Sequence, residues 1–400
     1  MPDIGKRYVA LDVHKSYLMV GAVNSQQGVV LSPRRVSFLE FETWAKKHLR
    51  ADDVVALEAT TNAWYVYDLL APLVERVVVA HPYHVKLIAA SMVKTDKIDT
   101  LVLARLLAAN ILPAIWVPPV HVRELRGLVA HRQRLIKQRT AARNRLQSLL
   151  HRHNLIPPEG DLIEQRDWWA SQALSQTEKL RARQDLAVID YLAPLVAEVE
   201  TELARLSVTS PWADQAPFLI QLPGIGLLTA MTILGAIGEI ERFPSAKKLV
   251  GYAGLGARVH ASGQTRYTGA ITKQGRRDLR SVMVEAAWVA VRSSAHWQDQ
   301  FEHLEMRIGR QKAIVAIARK LLVVVWHVLT ARAADRRAEE LAVARSFMDW
   351  GTYHGLAHRL HMRRIQFVRQ QLDRVGIGQS LAVLHHSGHD YALPPSQLDG

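Results

Sequence analysis

Residues 120–154 constrain the fold of this chain more than any other stretch. They carry nine lysines and arginines (Arg123, Arg126, Arg132, Arg134, Lys137, Arg139, Arg143, Arg145 and Arg152) against one acid, Glu124. Leu128, Leu135, Ala142 and Leu149 recur every seven residues. That period predicts one long basic helix with a narrow apolar seam, and so narrow a seam needs a partner. The stretch 157–160 breaks it. A second seam follows at Leu192, Val196, Val199, Leu203 and Leu206, with acids at Glu198, Glu200 and Glu202. An antiparallel coiled-coil hairpin, two arms meeting in an oligomer, or core packing within one globular domain would each satisfy both seams.

The chain differs in character on either side. Residues 8–24, YVALDVHKSYLMVGAVN, alternate and are rich in β-branched and aromatic side chains, and GVVLSPRRVSF follows a turn-like SQQG. Two or three antiparallel strands are expected there. An amphipathic stretch at 39–49, the short run VVALEAT, a helix-like AWYVYDLLAPLV and the run VVVA come next. Strands followed by strand–helix alternation predict a mixed sheet covered by helices. After Pro211 the chain is punctuated by glycine, in LPGIGLLTAMTILGAIGEIERF and LVGYAGLGARVHASGQ, before a mostly apolar helix near 314–329. This predicts a separate, mainly helical domain. A charged helix and a histidine-rich tail follow, and no internal repeat is present.

With 51 Lys+Arg against 37 Asp+Glu in 400 residues, the net charge is +14, which points to a polyanion, most simply nucleic acid. A membrane surface is the competing partner. No apolar run of the roughly 18 residues a spanning helix needs and no signal-peptide pattern is visible, so a soluble, cytoplasmic protein is expected. The chain has no cysteine, which removes disulfides and thiolate metal sites. Any metal must be held by carboxylates, histidines or backbone oxygen.

Four acids fit that requirement. Asp12 lies in the first strand and Glu58 near the end of a later one, where acids are costly unless paired or metal-bound. Asp96 and Asp99, in KTDKID, stand three apart at a helix start, on one face, where their charges repel. The helix dipole favours anions there by about 0.3–1 kcal/mol, so a structural N-terminal pair is the alternative. Taken together, one acid on the first strand, one on a later strand and two on the following helix form the layout by which ribonuclease-H-like sheets hold two Mg²⁺ ions. Oxygen ligands favour Mg²⁺ or Mn²⁺. Lys15, Lys94 and Lys97 lie beside these acids, to contact phosphate or to balance charge. Downstream, Ser262 sits in a glycine-flanked loop followed by Arg266, Lys273, Arg276, Arg277 and Arg280. It is either a turn residue or a nucleophile whose target is neutralised by that cationic setting. His260 is close in sequence, and no Ser-His-Asp arrangement is legible.

These motifs resemble the DEDD transposases of bacterial insertion sequences, a family related to the Piv/MooV DNA invertases and understood as bridge-RNA-guided serine recombinases. The matching stretches are ALDVHK, ALEAT, KTDKIDTLVLA, LPGIGLLTAMTILGAIGEIERF, YAGLGARVHASGQ and GAITKQGRRDLR, and the likeness runs over residues 8–330. The resemblance implies an α/β plus all-α chain. A RuvC-like (ribonuclease H-like) N-terminal domain would span 1–115, a coiled-coil, oligomerising and nucleic-acid-binding middle 116–210, and a mainly helical C-terminal transposase domain 211–330. Residues 331–400 match nothing in the family. Asp12, Glu58, Asp96 and Asp99 are implied as the metal-binding tetrad for Mg²⁺ or Mn²⁺, and Ser262 as the nucleophile forming a 5′-phosphoserine link. Target and donor double-stranded DNA, a structured noncoding guide (bridge) RNA and homo-oligomers, dimer and tetramer, are implied as partners, with each active site drawing on two subunits. The protein itself would then read shape and backbone, through residues such as Lys15, Lys94, Arg126, Arg134, Arg266, Lys273, Arg276 and Arg277.

There are departures and alternatives. The family often carries a Ser-Ser-Gly-Gly loop where this chain has Ala261-Ser262-Gly263-Gln264. The tail histidines, His385, His386 and His389, are either zinc ligands or part of a disordered or element-specific extension. LPGIG resembles a helix-hairpin-helix whose amides can hold phosphate, or is a plain tight turn. Two other functions compete: a RuvC-like junction nuclease using water, and a non-catalytic nucleic-acid-binding protein.

Overall fold

A computed structural model describes residues 5–88, 95–160, 162–262 and 265–398, with the backbone alone at 259–262 and 265–268. The chain divides into two compact units, Met1–Pro118 and Pro119–Gly400.

The first unit is a five-stranded sheet. Strands β1 (Tyr8–Val13), β2 (Tyr17–Val23) and β3 (Val29–Ser37) form an antiparallel meander, followed by α1 (Phe41–His48), β4 (Val54–Glu58), α2 (Ala63–Leu70), β5 (Arg76–Ala80), α3 (Pro82–Ile88) and α4 (Asp96–Ala108). The order is β3-β2-β1-β4-β5, with β4 parallel to both β1 and β5. Period-two alternation sorts the side chains onto two faces. Val9, Leu11 and Val13 of β1 and Val55 and Leu57 of β4 pack under Phe41, Val66 and Leu70 of α1 and α2. Ala10 and Ala56 point the other way, against Leu103, Ala104 and Leu107 of α4. Asp12 and Glu58 continue this second face. Its small residues let α4 lie close to the sheet. Gly21 of β2 shows the limit, because a Cβ there would already stand 3.3 Å from Thr100 Cγ2 of α4.

The second unit opens with the long basic helix, α5 (Val120–His153), followed by α6 (Arg166–Ser171) and α7 (Gln176–Ser207). The helix ends at Asn154, which takes a left-handed backbone (φ 47°). Ion pairs Arg132–Glu200 at 2.5 Å, Arg145–Asp185 at 2.6 Å and Arg152–Glu178 at 3.6 Å match ascending numbers on α5 with descending numbers on α7. The two helices are therefore antiparallel partners within one chain. The strict seven-residue seam is corrected in one respect: Leu128 is only half-buried, while Val122, Leu125 and Val129 are buried. The reason is a second partner, since Leu125 packs on Gly235 of the following helical region, where a Cβ would lie 3.2 Å from Leu125 Cγ.

That region comprises α8 (Ala216–Ile220), α9 (Leu227–Ile237), α10 (Ala246–Tyr252), a hairpin of β6 (Ala257–Ser262) and β7 (Thr265–Ile271), then α11 (Arg277–Ser293), α12 (Ala295–Ile308) and α13 (Arg310–Ala331). The turn LPGIG joins α8 to α9. Gly224 in it has φ +80°, and a Cβ would stand 2.2 Å from the Ala286 carbonyl of α11, so no larger residue fits. The expectation of no membrane-length apolar run needs correction. α13 has 22 residues and contains an 18-residue window with a mean hydropathy of 1.9, long and apolar enough to cross a membrane by length and composition. Arg319 and Lys320 divide it in sequence, which hides it. Half of its apolar window is buried, with Ile314, Ile317, Leu321 and Leu322 in the protein core.

The C-terminal stretch, expected as a charged helix and then a histidine-rich tail, has that helix, and the tail is ordered rather than disordered over its described residues: α14 (Glu340–Thr352), α15 (Leu356–Arg359), α16 (Arg364–Val375) and a hairpin of β8 (Val383–His386) and β9 (His389–Ala392). The buried Arg369 guanidinium donates to the carbonyls of Pro394 at 2.7 Å, Gly378 at 2.7 Å and Leu381 at 2.5 Å, tying the tail together. Trp350 Nε1 donates to Ser207 Oγ at 2.9 Å and Tyr353 to Glu200 at 2.7 Å, which docks the tail on α7.

Candidate active site

The acids of the first unit meet at the carboxyl ends of two parallel strands, where side chains outrun the helices and leave a crevice. Asp12 is the penultimate residue of β1 and Glu58 the last of β4. Helix α4 brings the other two. The Thr95 hydroxyl caps it by accepting from the Ile98 N–H at 3.3 Å, which puts Asp96 and Asp99 in the first turn. Buried Thr100 donates to the Asp96 carbonyl at 2.6 Å and fixes that turn over Gly21.

The pair on α4 divides. Asp99 joins Asp12 and Glu58 around a cavity of about 120 Å³, completed by Val85 and Lys86 of α3 and Val102 and Leu103 of α4. Asp96 turns instead toward the β1–β2 connection. It accepts from the Tyr17 hydroxyl at 2.8 Å and lies 3.4 Å from His14 Nε2, which is itself 3.2 Å from Asp12 Oδ2. Asp12 therefore belongs to both groupings. Burial pushes its carboxyl above the usual carboxylate range; His14 opposes the rise, and the negative charges of Asp96 and Asp99 add to it. The Tyr17 hydroxyl is likewise pushed up, first by its hydrogen bond to Asp96. Carboxylates crowded in this way are the donors that hold divalent cations.

Elsewhere the expected residues are scattered. Lys15 and Lys97 are exposed near the acids, and Lys94 lies outside the described residues. Arg134 is exposed on α5, and Lys273 and Arg277 are exposed ahead of and at the start of α11. Arg126 instead braces the fold, its guanidinium donating to the carbonyls of Gly235 at 2.6 Å and Ala236 at 2.9 Å near the end of α9. Burial, with Arg276 nearby, lowers its pKa to about 10. Arg276 is half-buried and paired with Asp278 at 2.5 Å, and Arg280 donates to the Ala253 carbonyl at 3.0 Å. Ser262 ends β6, its backbone opposite Thr265 of β7, so it sits at the tip of a hairpin. Its side chain, with those of His260 and Arg266, lies outside the described residues. In the tail, His385 pairs with Asp390 at 2.7 Å and His386 with Asp349 at 3.3 Å. Among the described residues these histidines form no three-ligand cluster; Asp12, His14 and Asp96 do.

His14, Tyr17 and Lys86 are site residues that sequence reasoning misses. His14 carries a signal in ALDVHK, two positions beyond Asp12 and just past the end of β1. Lys86 and Tyr17 give no such signal, because chain topology alone brings them in.

A family profile for transposases of the DEDD, IS110 type matches residues 9–155. A second, described as Transposase IS116/IS110/IS902 family, matches residues 216–302. The chain is 24% identical over 339 residues to the transposase for insertion sequence element IS1111A of Coxiella burnetii, an alignment covering 82% of this chain and 91% of that protein. It is 27% identical over 358 residues to the pilin gene-inverting protein of Moraxella bovis, covering 84% of this chain and 100% of the relative. A putative transposase, y4qE, of Sinorhizobium fredii is 27% identical over 290 residues, or 72% and 71% of the two chains.

Proposed function

Since the chain belongs to the IS110/IS116 family of insertion-sequence transposases, enzymes that cut and rejoin DNA, we propose that Asp12, Glu58, Asp96 and Asp99 form its divalent-cation centre and Ser262 its nucleophile. One observation carries the reading: three of these acids, from two strands and a helix, line a single small cavity, with the fourth beside it. The donor set suits Mg²⁺ or Mn²⁺, being mostly carboxylate oxygen. The strand order, three antiparallel strands followed by two parallel ones, supports a RuvC-like (ribonuclease H-like) N-terminal domain.

When bound, such cations neutralise phosphate charge and favour in-line displacement at phosphorus. The chain's own part is the covalent step. The Ser262 oxygen forms a bond to phosphorus as the bond to the 3′ oxygen breaks. The serine proton passes to a base, and the departing 3′ oxygen takes one up. Rejoining runs the reverse reaction with a 3′ hydroxyl from the new partner strand. One phosphoester replaces another throughout, so no ATP is needed. Exposed Lys273 and Arg277 suit contact with DNA phosphates, and the exposed face of α5, with Arg134, suits a structured RNA backbone. A cytoplasmic enzyme guided by a bridge RNA from its own element, acting on target and donor duplexes as a dimer or tetramer, completes the reading. The domain division 1–115, 116–210, 211–330 and 331–400 belongs to it as well.

The test is a denaturing gel of the purified chain, with any RNA that accompanies it, on labelled element-end DNA. A covalent protein–DNA adduct, lost in Ser262→Ala, is expected. Cleavage that persists in Ser262→Ala without an adduct would assign the chain to water-driven hydrolysis instead. If Asp12→Ala and Asp99→Ala kept full strand exchange, the acids would have no catalytic role.

A further inference from the structure

Oxygen is not the only donor at the acidic centre. His14 Nε2 lies 3.2 Å from Asp12 Oδ2 and 3.4 Å from Asp96 Oδ2. One ligand-type atom from each of the three residues falls within 4.8 Å of the other two. In an octahedral site with ligands at about 2.0–2.1 Å, neighbouring donor atoms stand about √2 times that apart, roughly 3 Å. Both measured separations are slightly longer than such an edge, so small side-chain movements would close it.

The imidazole is also held in place. Its ring stacks on Tyr17 with centroids 4.4 Å apart and planes 21° from parallel. The Arg35 guanidinium lies 3.8 Å from the centre of the same tyrosine ring, and the Tyr17 hydroxyl donates to Asp96 at 2.8 Å. Outer partners of this kind orient metal ligands in other proteins, and their loss costs about 10–100-fold in affinity.

We infer that His14 is a direct nitrogen ligand of a divalent cation held between Asp12 and Asp96. That position is then a mixed nitrogen–oxygen site beside the cavity lined by Asp12, Glu58 and Asp99. The inference rests on the cation-centre reading above and deepens it. With the cation bound, the Nε2 lone pair faces the metal and the ring proton sits on Nδ1. A nitrogen donor shifts selectivity away from Mg²⁺, which prefers oxygen, toward Mn²⁺ and later transition metals. A histidine with only a structural role would instead donate its Nε2 proton to the two carboxylates and never touch the ion.

The experiment is Mn²⁺ titration of the full-length chain followed by pulsed electron paramagnetic resonance, on wild type, on protein grown with ¹⁵N-histidine, and on His14→Asn, Tyr17→Phe and Asp12→Asn. The expected result is an Asp12-dependent Mn²⁺ signal with nitrogen coupling that changes isotope in the labelled protein. His14→Asn should lose that coupling and bind Mn²⁺ at least about tenfold more weakly, with a smaller Mn²⁺/Mg²⁺ preference. Tyr17→Phe should keep the coupling. Asp12-dependent binding without nitrogen coupling in the wild type overturns the His14 ligand alone. Coupling that survives in His14→Asn overturns it too, by assigning the nitrogen to another histidine. Binding equal in wild type and Asp12→Asn overturns the cation-centre reading together with the ligand.

Discussion

Asp53, immediately before β4, and Asp12, near the far end of its parallel neighbour β1, are acids on the same sheet in opposite circumstances. Asp53 is fully buried and matched within the protein. The Arg7 fork donates to its two oxygens at 2.8 and 2.6 Å, and the Arg50 N–H adds a third bond at 2.8 Å. Asp12 has 29% of its side chain exposed, and its pKa is pushed up first by burial and then by two neighbouring carboxylates, Asp96 and Asp99, against the opposing pull of His14. A charge that holds the fold together is answered by a cation the chain supplies. A charge kept among like charges raises the free energy of the fold and awaits a cation from solution.

Substitutions test that contrast. The largest expected effect is at Asp12: Asp12→Asn removes DNA cleavage, read on gels, while urea unfolding shows stability unchanged or improved because a repulsion is gone. Asp53→Asn should do the reverse, costing about 3 kcal/mol of unfolding free energy by removing the carboxylate that answers the half-buried Arg7 and leaving it only the His48 carbonyl and an amide. Any activity the folded fraction keeps should be normal. Arg369→Met extends the matched class to the tail. Depriving the Pro394 and Leu381 carbonyls of their donor, while Asp373 keeps the Ser396 hydroxyl and the Gln397 N–H, should cost about 3 kcal/mol, seen as early amide exchange in α16 and the β8–β9 hairpin.

A smaller effect, set by pH, is expected at Glu200. Burial alone would raise its carboxyl, but hydrogen bonds from Tyr353, Arg132 and His354 outweigh it and hold the pKa below the ordinary 4.5. A depressed carboxylate stabilises the fold above its unfolded pKa and loses that contribution as pH falls through the lower folded value. Glu200→Gln should therefore cost about 1–3 kcal/mol at pH 7. The gap from wild type should narrow once the pH drops below about 4. Urea midpoints at the two pH values give the comparison.

The sheet, the long basic helix and the four acids are legible in the sequence because each rests on a local pattern. Alternation gives β1 and β2, the cationic period gives α5, and the acids stand out where apolar residues belong. What is not legible depends on contacts distant in sequence. Nothing local says that Asp99 faces the cavity while Asp96 turns to Tyr17, since both follow from how α4 sits on Gly21. Leu128 falls in the seam only if the helix has one partner, and it has two. The β6–β7 hairpin reads as a loop because its glycines and polar residues hide the alternation. The tail looks disordered because Arg369, a single residue twelve positions or more from two of the carbonyls it binds, organises it.

The most direct test of the contrast is the melting temperature of wild type and Asp12→Asn, each with and without Mg²⁺. Wild type should gain stability on adding Mg²⁺, while Asp12→Asn melts at or above the Mg²⁺-free wild type and gains little from the ion. If Asp12→Asn instead melts well below wild type in both conditions, Asp12 is a structural acid like Asp53 and the cation centre lies elsewhere.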